Sequence, residues 1–255
     1  LSCSQIASYL LCARRYAYQK IEKVEPAGKP AGLALGSVVH STIEWLHQQR
    51  MDGGNGIGLP DVLRIFEADW EAQKAGGVPL LLDDEAETDL VAQGKALLQV
   101  YVENPSPNPV TAVEVPFRMD LIHPETGETL PVPLEGRIDQ IEDGETSKDR
   151  QTVVELKTAA RRYSAGDIAR QLQLTAYSWA YEHLTGDLPH LRLDVLLKTK
   201  KPQIVRIGVE RDTADRVRLF ELAAAVLDGI EKGVFPANPG WGCAGCEYGH
   251  VCPWG

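Results

Sequence analysis

A chain of 255 residues, with 44% hydrophobic and 24% charged residues, can bury a sizeable core and is composed like an ordinary soluble globular protein. Its apolar runs, such as Val195-Leu196-Leu197, fall far short of the roughly 18 residues a membrane span needs. With 26 basic and 36 acidic residues the formal charge is −10, which excludes a broad basic coat for nucleic acid but leaves room for one local basic groove.

Apolar residues at Ile6, Leu10 and Ala13, with Ser2 or Ser4 as a cap, predict a helix over 4–21. Pro26, Gly28, Pro30 and Gly32 mark a connector. Val38, Val39, Ile43 and Leu46 predict a second helix over 35–51, and further helices are expected over 60–74 and 84–103. The glycine-rich stretch 53–58 follows no strand and fits no phosphate-binding fingerprint, so it reads as a loop. After Pro105, Pro107 and Pro109 the pattern turns to strands, over 111–119, 134–141 and 152–156, with Asp143-Gly144 as a turn between the last two. A helix over 165–183, strands over 191–198 and 204–209, and a helix over 213–232 complete the pattern. The expected fold is α/β, a mixed central β-sheet flanked by helices. One integrated domain would comprise a helical portion, 1–109, carrying Cys12 and His40, a core, 110–235, and a cysteine-rich tail, 236–255. No basic segment followed by an apolar one opens the chain, so no secretory signal is expected and the default location is cytoplasmic.

Asp139 falls on one predicted strand, and Glu155 and Lys157 fall on the next. Alternation puts Glu155 and Lys157 on one face, about 7 Å apart. If the strands pair, Asp139 comes beside Glu155, and two close carboxylates repel until a divalent cation relieves them. Such hard oxygen donors suit Mg²⁺ or Mn²⁺. An ion held there would polarise a phosphoryl oxygen, while Lys157 would position or deprotonate water or stabilise developing charge. Val153, Val154 and Leu156 mark a buried strand, where an unpaired glutamate is costly, and this argues against a solvated charged face. Arg161, Arg162 and Arg170 follow closely and could grip substrate phosphates.

Five cysteines, an odd number, argue against a disulfide framework. Cys243, Cys246 and Cys252 have the spacing of a metal site that lacks a fourth ligand. Cys12 is preferred to Cys3 for that place, His250 is an alternative, and Zn²⁺ would satisfy four thiolates. The result would be a clasp between the first helix and the tail.

Four segments in order resemble the RecB-type branch of the PD-(D/E)XK nuclease superfamily. They are Gly36-Ser37-Val38-Val39-His40, Gly136-Arg137-Ile138-Asp139, Glu155-Leu156-Lys157-Thr158 and Gln173-Leu174-Thr175-Ala176-Tyr177. The resemblance implies a restriction-endonuclease-like core, with His40, Asp139, Glu155 and the Leu156 carbonyl as metal ligands and Lys157 as base or stabiliser. Gln173 and Tyr177, at i and i+4 on one helical face, would contact the substrate backbone or brace the site, with Gln171 a rival to Gln173. Glu114 resembles an upstream family glutamate. Cys12, Cys243, Cys246 and Cys252 resemble the ligands of the iron–sulfur branch, which includes AddB-type subunits and CRISPR-adaptation nucleases, and imply a 4Fe–4S cluster. The implied activity is a Mg/Mn-dependent deoxyribonuclease, an exonuclease on single-stranded or end-containing DNA. No G-x-x-x-x-G-K-[ST] motif is present, so a helicase, recombination or CRISPR-adaptation partner would be a separate protein. The competing reading is a catalytically silent scaffold that binds DNA ends or a partner.

Overall fold

The computed structural model describes residues 1–54, 56–76, 79–81, 87–144 and 149–254. Asn55 of the expected loop and the predicted helical start at 84–86 lie outside the described residues.

Helix α1 (Cys3–Leu11) opens with a capping box, in which the Ser2 hydroxyl accepts from the Gln5 amide and the Gln5 side chain accepts from the Ser2 amide. The predicted single helix over 4–21 is interrupted. Cys12 is extended (φ −159°, ψ 104°) and is followed by α2 (Ala13–Tyr16) and a π-helical turn, Ala17–Ile21. Buried residues continue across the break at Ala13, Tyr16 and Ala17, so the apolar spacing conceals it.

Helices α3 (Ala31–Met51), α4 (Leu59–Ala75) and α5 (Glu87–Glu103) pack together through Leu35, Phe66, Trp70 and Leu97. Gly94 permits this approach, because a Cβ there would lie 2.2 Å from the Phe66 ring. Two short strands that the sequence pattern does not predict, β1 (Lys29–Pro30) and β2 (Leu80–Leu81), pair in parallel beside this layer.

The central sheet contains β3 (Val110–Met119), β4 (Leu134–Glu142), β5 (Thr152–Ala159), β6 (His190–Leu197) and β7 (Gln203–Val209), in that order. The β5–β6 pair is parallel and the other pairs are antiparallel, so the sheet is mixed. A parallel pair needs a crossover, here α6 (Ala165–Ala169) and α7 (Leu172–Thr185). The predicted helix over 165–183 is thus broken at Arg170–Gln171, where Arg211 donates to the carbonyls of Ile168 and Gln171 at 2.7 and 3.2 Å. Helix α8 (Thr213–Glu231) starts at the capping residue Asp212. Helices α1, α7 and α8 cover one sheet face around Leu174, Tyr177, Leu193 and Phe220. The α3–α5 layer covers the other through Leu156 and Leu196. Among the described residues no helix is long and apolar enough to cross a membrane.

Beneath α5 runs a buried polar line. Arg192 donates to Glu142 Oε2 at 2.7 Å and to Asp194 Oδ1 at 2.6 Å, and Arg206 reaches Asp194 Oδ2 at 3.2 Å. Gln140 donates through Nε2 to Glu142 at 2.7 Å and accepts through Oε1 from the Tyr101 hydroxyl at 3.2 Å, and that hydroxyl lies 2.6 Å from His47 Nε2. Burial, with help from Arg50 and against Glu142, pushes His47 down to about 4 from its ordinary 6.5. Between these values the unfolded chain binds the extra proton, so this group's contribution to stability falls as pH drops from 6.5 to 4. We expect His47→Gln to remove a loss of about 2–3 kcal/mol over that window. The check is urea unfolding of both proteins at the two pH values; their difference isolates His47 from the carboxylates, and equal slopes would refute its burial in the neutral form.

Candidate active site

Strand β4 pairs with β3 from Leu134 to Glu142 but with β5 only from Gln140 to Glu142. The two central strands therefore part at Asp139. The Asp139 side chain fills the opening, with Oδ2 accepting from the Leu156 amide at 2.9 Å and Oδ1 from the Tyr177 hydroxyl at 2.7 Å. A carboxylate thus replaces a ladder carbonyl, which satisfies the freed β5 donor.

Glu155 and Lys157 project to this same side, towards α7. Glu155 is 1% exposed, and neither of its oxygens receives a well-formed hydrogen bond. The Lys157 ammonium rests against Oε1 as an ion pair. Burial, reinforced by the Asp139 charge and opposed by Lys157, pushes Glu155 up to about 7. Burial alone would lower Lys157, but Glu155 and Asp139 outweigh it and hold the ammonium above the ordinary lysine range. His40, half-buried on α3, hydrogen-bonds the Leu156 carbonyl; burial lowers its pKa while Asp139 opposes the shift. Gly36 lets α3 approach β5, since a Cβ there would lie 3.0 Å from Thr158 Oγ1.

A cavity of about 270 Å³ gathers His40, Asp139, Glu155, Lys157, Gln173 and Tyr177. Gln173 also touches Tyr177 by a side-chain hydrogen bond, whereas Gln171 is the N-cap of α7 and lines only the neighbouring groove. Tyr177 is raised far above the tyrosine range, by burial first and then by Glu155 and Asp139, so its hydroxyl stays protonated. Glu114 sits opposite this region with a positive φ of 48°, uncommon for a residue with a side chain. Its carboxyl is raised by burial, Asp139 and Glu44, and Arg137 lies 4.0 Å away. Glu44 escapes sequence reading, although its place four residues after His40 on α3 puts both on one helical face.

Arg161, Arg162 and Arg170 stand apart from the carboxylates, on an adjoining groove of about 820 Å³ that shares Lys157 and Gln173 with the first cavity. Arg161 and Arg170 both bind Asp167, at 2.9 and 3.3 Å, and Arg162 donates to Gln203 at 2.8 Å. Cys12, Cys243, Cys246 and Cys252 line a third cavity of about 300 Å³, which His250 does not line. Cys3 lies elsewhere, buried beside α7 with Sγ 3.8 Å from the Leu172 carbonyl. Among the described residues no three His, Cys, Asp or Glu side chains are gathered closely enough to hold one metal ion.

The profile of the PD-(D/E)XK nuclease superfamily matches residues 1–253. The chain belongs to this superfamily. No curated protein matches it in sequence. Among solved structures it is similar to one from Eubacterium rectale described as a "Putative exonuclease", at 14% identity over 93% of this chain and 83% of that one, with a TM-score of 0.57. At such identity the likeness shows the fold alone. A second, SSO0001, aligns over 98% of this chain and 92% of its own at 16% identity, with a TM-score of 0.39 that is too low to bear on the fold.

In this PD-(D/E)XK chain, Gly136 precedes the aspartate for a steric reason. It lies across from Phe117, and a Cβ there would fall 2.6 Å from the ring, which packs edge-on to Tyr177. We expect Gly136→Ala to destabilise the fold by about 1–3 kcal/mol through overpacking. Adding Phe117→Leu should recover part of the loss in denaturant unfolding, and additive losses in the double variant would refute the contact.

Proposed function

We propose that this protein is a Mg²⁺- or Mn²⁺-dependent deoxyribonuclease, acting as an exonuclease on single-stranded or end-containing DNA. One observation carries the proposal: Glu155 and Asp139 stand close together on the sheet, Glu155 buried with the Lys157 ammonium as its ion-pair partner. Such an arrangement is unfavourable by itself and is relieved by a hard cation. The donor chemistry suits one, with oxygen donors from Asp139, Glu155 and the Leu156 carbonyl and the imidazole of His40, although these side chains would have to draw closer than they stand here to share it. A bound ion would polarise the phosphoryl oxygen and lower the pKa of a water.

The chain's own groups then have distinct tasks. Lys157, ion-paired with Glu155, is placed to act as a base towards the attacking water or to stabilise negative charge developing on the phosphoryl group. Tyr177 orients Asp139 by donating to Oδ1, and Gln173 steadies Tyr177 or meets the substrate backbone. Arg161, Arg162 and Arg170 hold phosphates on the approach. The fold neighbour's description favours exonuclease action by analogy only. A separate helicase, recombination or CRISPR-adaptation partner would supply unwound ends.

Cys12, Cys243, Cys246 and Cys252, which line one cavity, would be the ligands of a structural 4Fe–4S cluster, drawing closer to bind it than they stand here. A reducing cytoplasmic setting suits free thiols.

Labelled linear and circular single-stranded DNA, incubated with and without Mn²⁺, tests the activity. Cleavage of the linear strand alone, with at least a 100-fold loss in Asp139→Ala, on the order expected for a ligand essential to catalysis, is the expected result. Binding without cleavage would favour the silent scaffold, and an active Asp139→Ala would remove the proposed centre. For the cysteines, anaerobically purified protein should be brown and contain iron, and Cys12→Ser should lose both colour and thermal stability. Colourless protein with stoichiometric zinc would overturn the cluster.

A further inference from the structure

The groove of about 820 Å³ beside the catalytic cavity has a mixed character that phosphate binding alone does not explain. Arg162, Arg170 and Arg218 line it, yet Ala7 and Leu10 of α1, Leu222 of α8 and the ring of Tyr163 line it as well. Leu10 is 47% exposed, an uncompensated apolar surface beside a cluster of cations. Tyr163 is half-buried on the loop between β5 and α6, near enough to Lys157 for the two to interact electrostatically. Arg218 has Nη2 bonded to the Ala169 carbonyl and to Asp215, while its Nε is buried without a partner. Arg162 has the Gln203 amide oxygen, not a carboxylate, as its described partner.

Duplex DNA hides its base faces in the stack and offers such a groove only phosphates. Unpaired nucleotides offer both apolar faces and charge, and aromatic stacking retains them with little regard to sequence. The volume lies within the range of about 300–1,000 Å³ usual for ligand sites, enough for a few splayed nucleotides. We propose that this groove is a nucleobase-binding subsite for the strand being cut, with bases against Tyr163, Leu10 and Leu222 and phosphates along Arg162, Arg170 and Arg218. The assignment rests on the nuclease reading for its direction, since the groove opens at Lys157 and Gln173. It makes the site selective for unpaired strands through contacts with the bases, not through charge alone.

The test is equilibrium binding by the full chain in EDTA, so that no cleavage intervenes. The probes are an oligothymidylate, an abasic strand of the same length and a duplex. The wild type should bind the oligothymidylate about tenfold more tightly than the abasic strand, on the scale of one stacked base. Tyr163→Ala should lose most of that preference and leave abasic binding unchanged, while Tyr163→Phe keeps it. Arg162→Ala should weaken both strands alike and reduce the salt dependence. Equal wild-type affinity for thymidylate and abasic strands, or a preference for the duplex, overturns the subsite whether or not any variant folds. A DNA preference carried by Tyr163 in a protein that cleaves nothing with Mn²⁺ would sink the nuclease reading and leave the subsite standing. Cleavage with unaltered thymidylate affinity in Tyr163→Ala would do the reverse.

Discussion

Burying Glu155 beside a second carboxylate is the arrangement around which the rest of this structure is organised. A carboxylate that is 1% exposed is costly to bury, and here its ion pair with Lys157 offsets that cost while the neighbouring Asp139 adds to it. It is held there by two large cores, one on each sheet face, that fix β5 between Val153 and Leu156. The neighbouring groups are arranged to make that position rigid rather than comfortable. Asp139 is tied to the Leu156 amide and the Tyr177 hydroxyl, and Phe117 packs against Tyr177 over a glycine. Such a site gives up stability for a preorganised field, the usual direction of the trade between activity and stability.

The sheet and the shared placement of Asp139, Glu155 and Lys157 are legible in the sequence because both depend on alternation. Val153, Glu155 and Lys157 share a face in any strand, and Gln173 and Tyr177 share a face in any helix. The glycines of the motifs were legible as residues but not as reasons. Only the folded chain shows Gly36 admitting α3 against Thr158 and Gly136 making room for Phe117. The break at Cys12 was hidden because the apolar period runs through it. The break at Arg170–Gln171 was hidden because its stabiliser, Arg211, lies about forty residues away. Arg192 and Asp194, on the predicted strand over 191–198, form a buried network with Glu142 and Arg206. Tertiary partners of this kind leave no local periodicity to detect.

Helix α1 links two regions that the sequence presents as unrelated. Ser2, Cys3 and Ser4, at its start, line the catalytic cavity, and Cys12, at its end, lines the cysteine cavity. Its nine residues span about 14 Å without a flexible joint. The helix is pinned to the sheet, where the Leu1 carbonyl accepts from Glu135 at 2.8 Å, and to α8's far end, where Tyr9 donates to the Val234 carbonyl. Just beyond it, Arg15 pairs with Glu247 of the tail at 2.8 Å. The tail therefore adjoins the helix whose other end lines the candidate catalytic cavity, so a clasp at the cysteines would help to fix that wall in place.

The same geometry reconciles an acidic protein with an anionic substrate. A formal charge of −10 gives a polyanion no net attraction to the protein as a whole. Around the groove, Arg161, Arg162, Arg170, Arg218 and Lys157 converge on one opening, with Asp167 set among them and ion-paired to both Arg161 and Arg170. The lack of net attraction then sharpens selection for that opening, because nonspecific binding is not favoured. A uniformly basic surface would raise affinity and lose this discrimination. On this view the excess of acids is not an obstacle to nucleic-acid chemistry but the background against which a single cationic groove becomes the favoured path to Glu155 and Asp139.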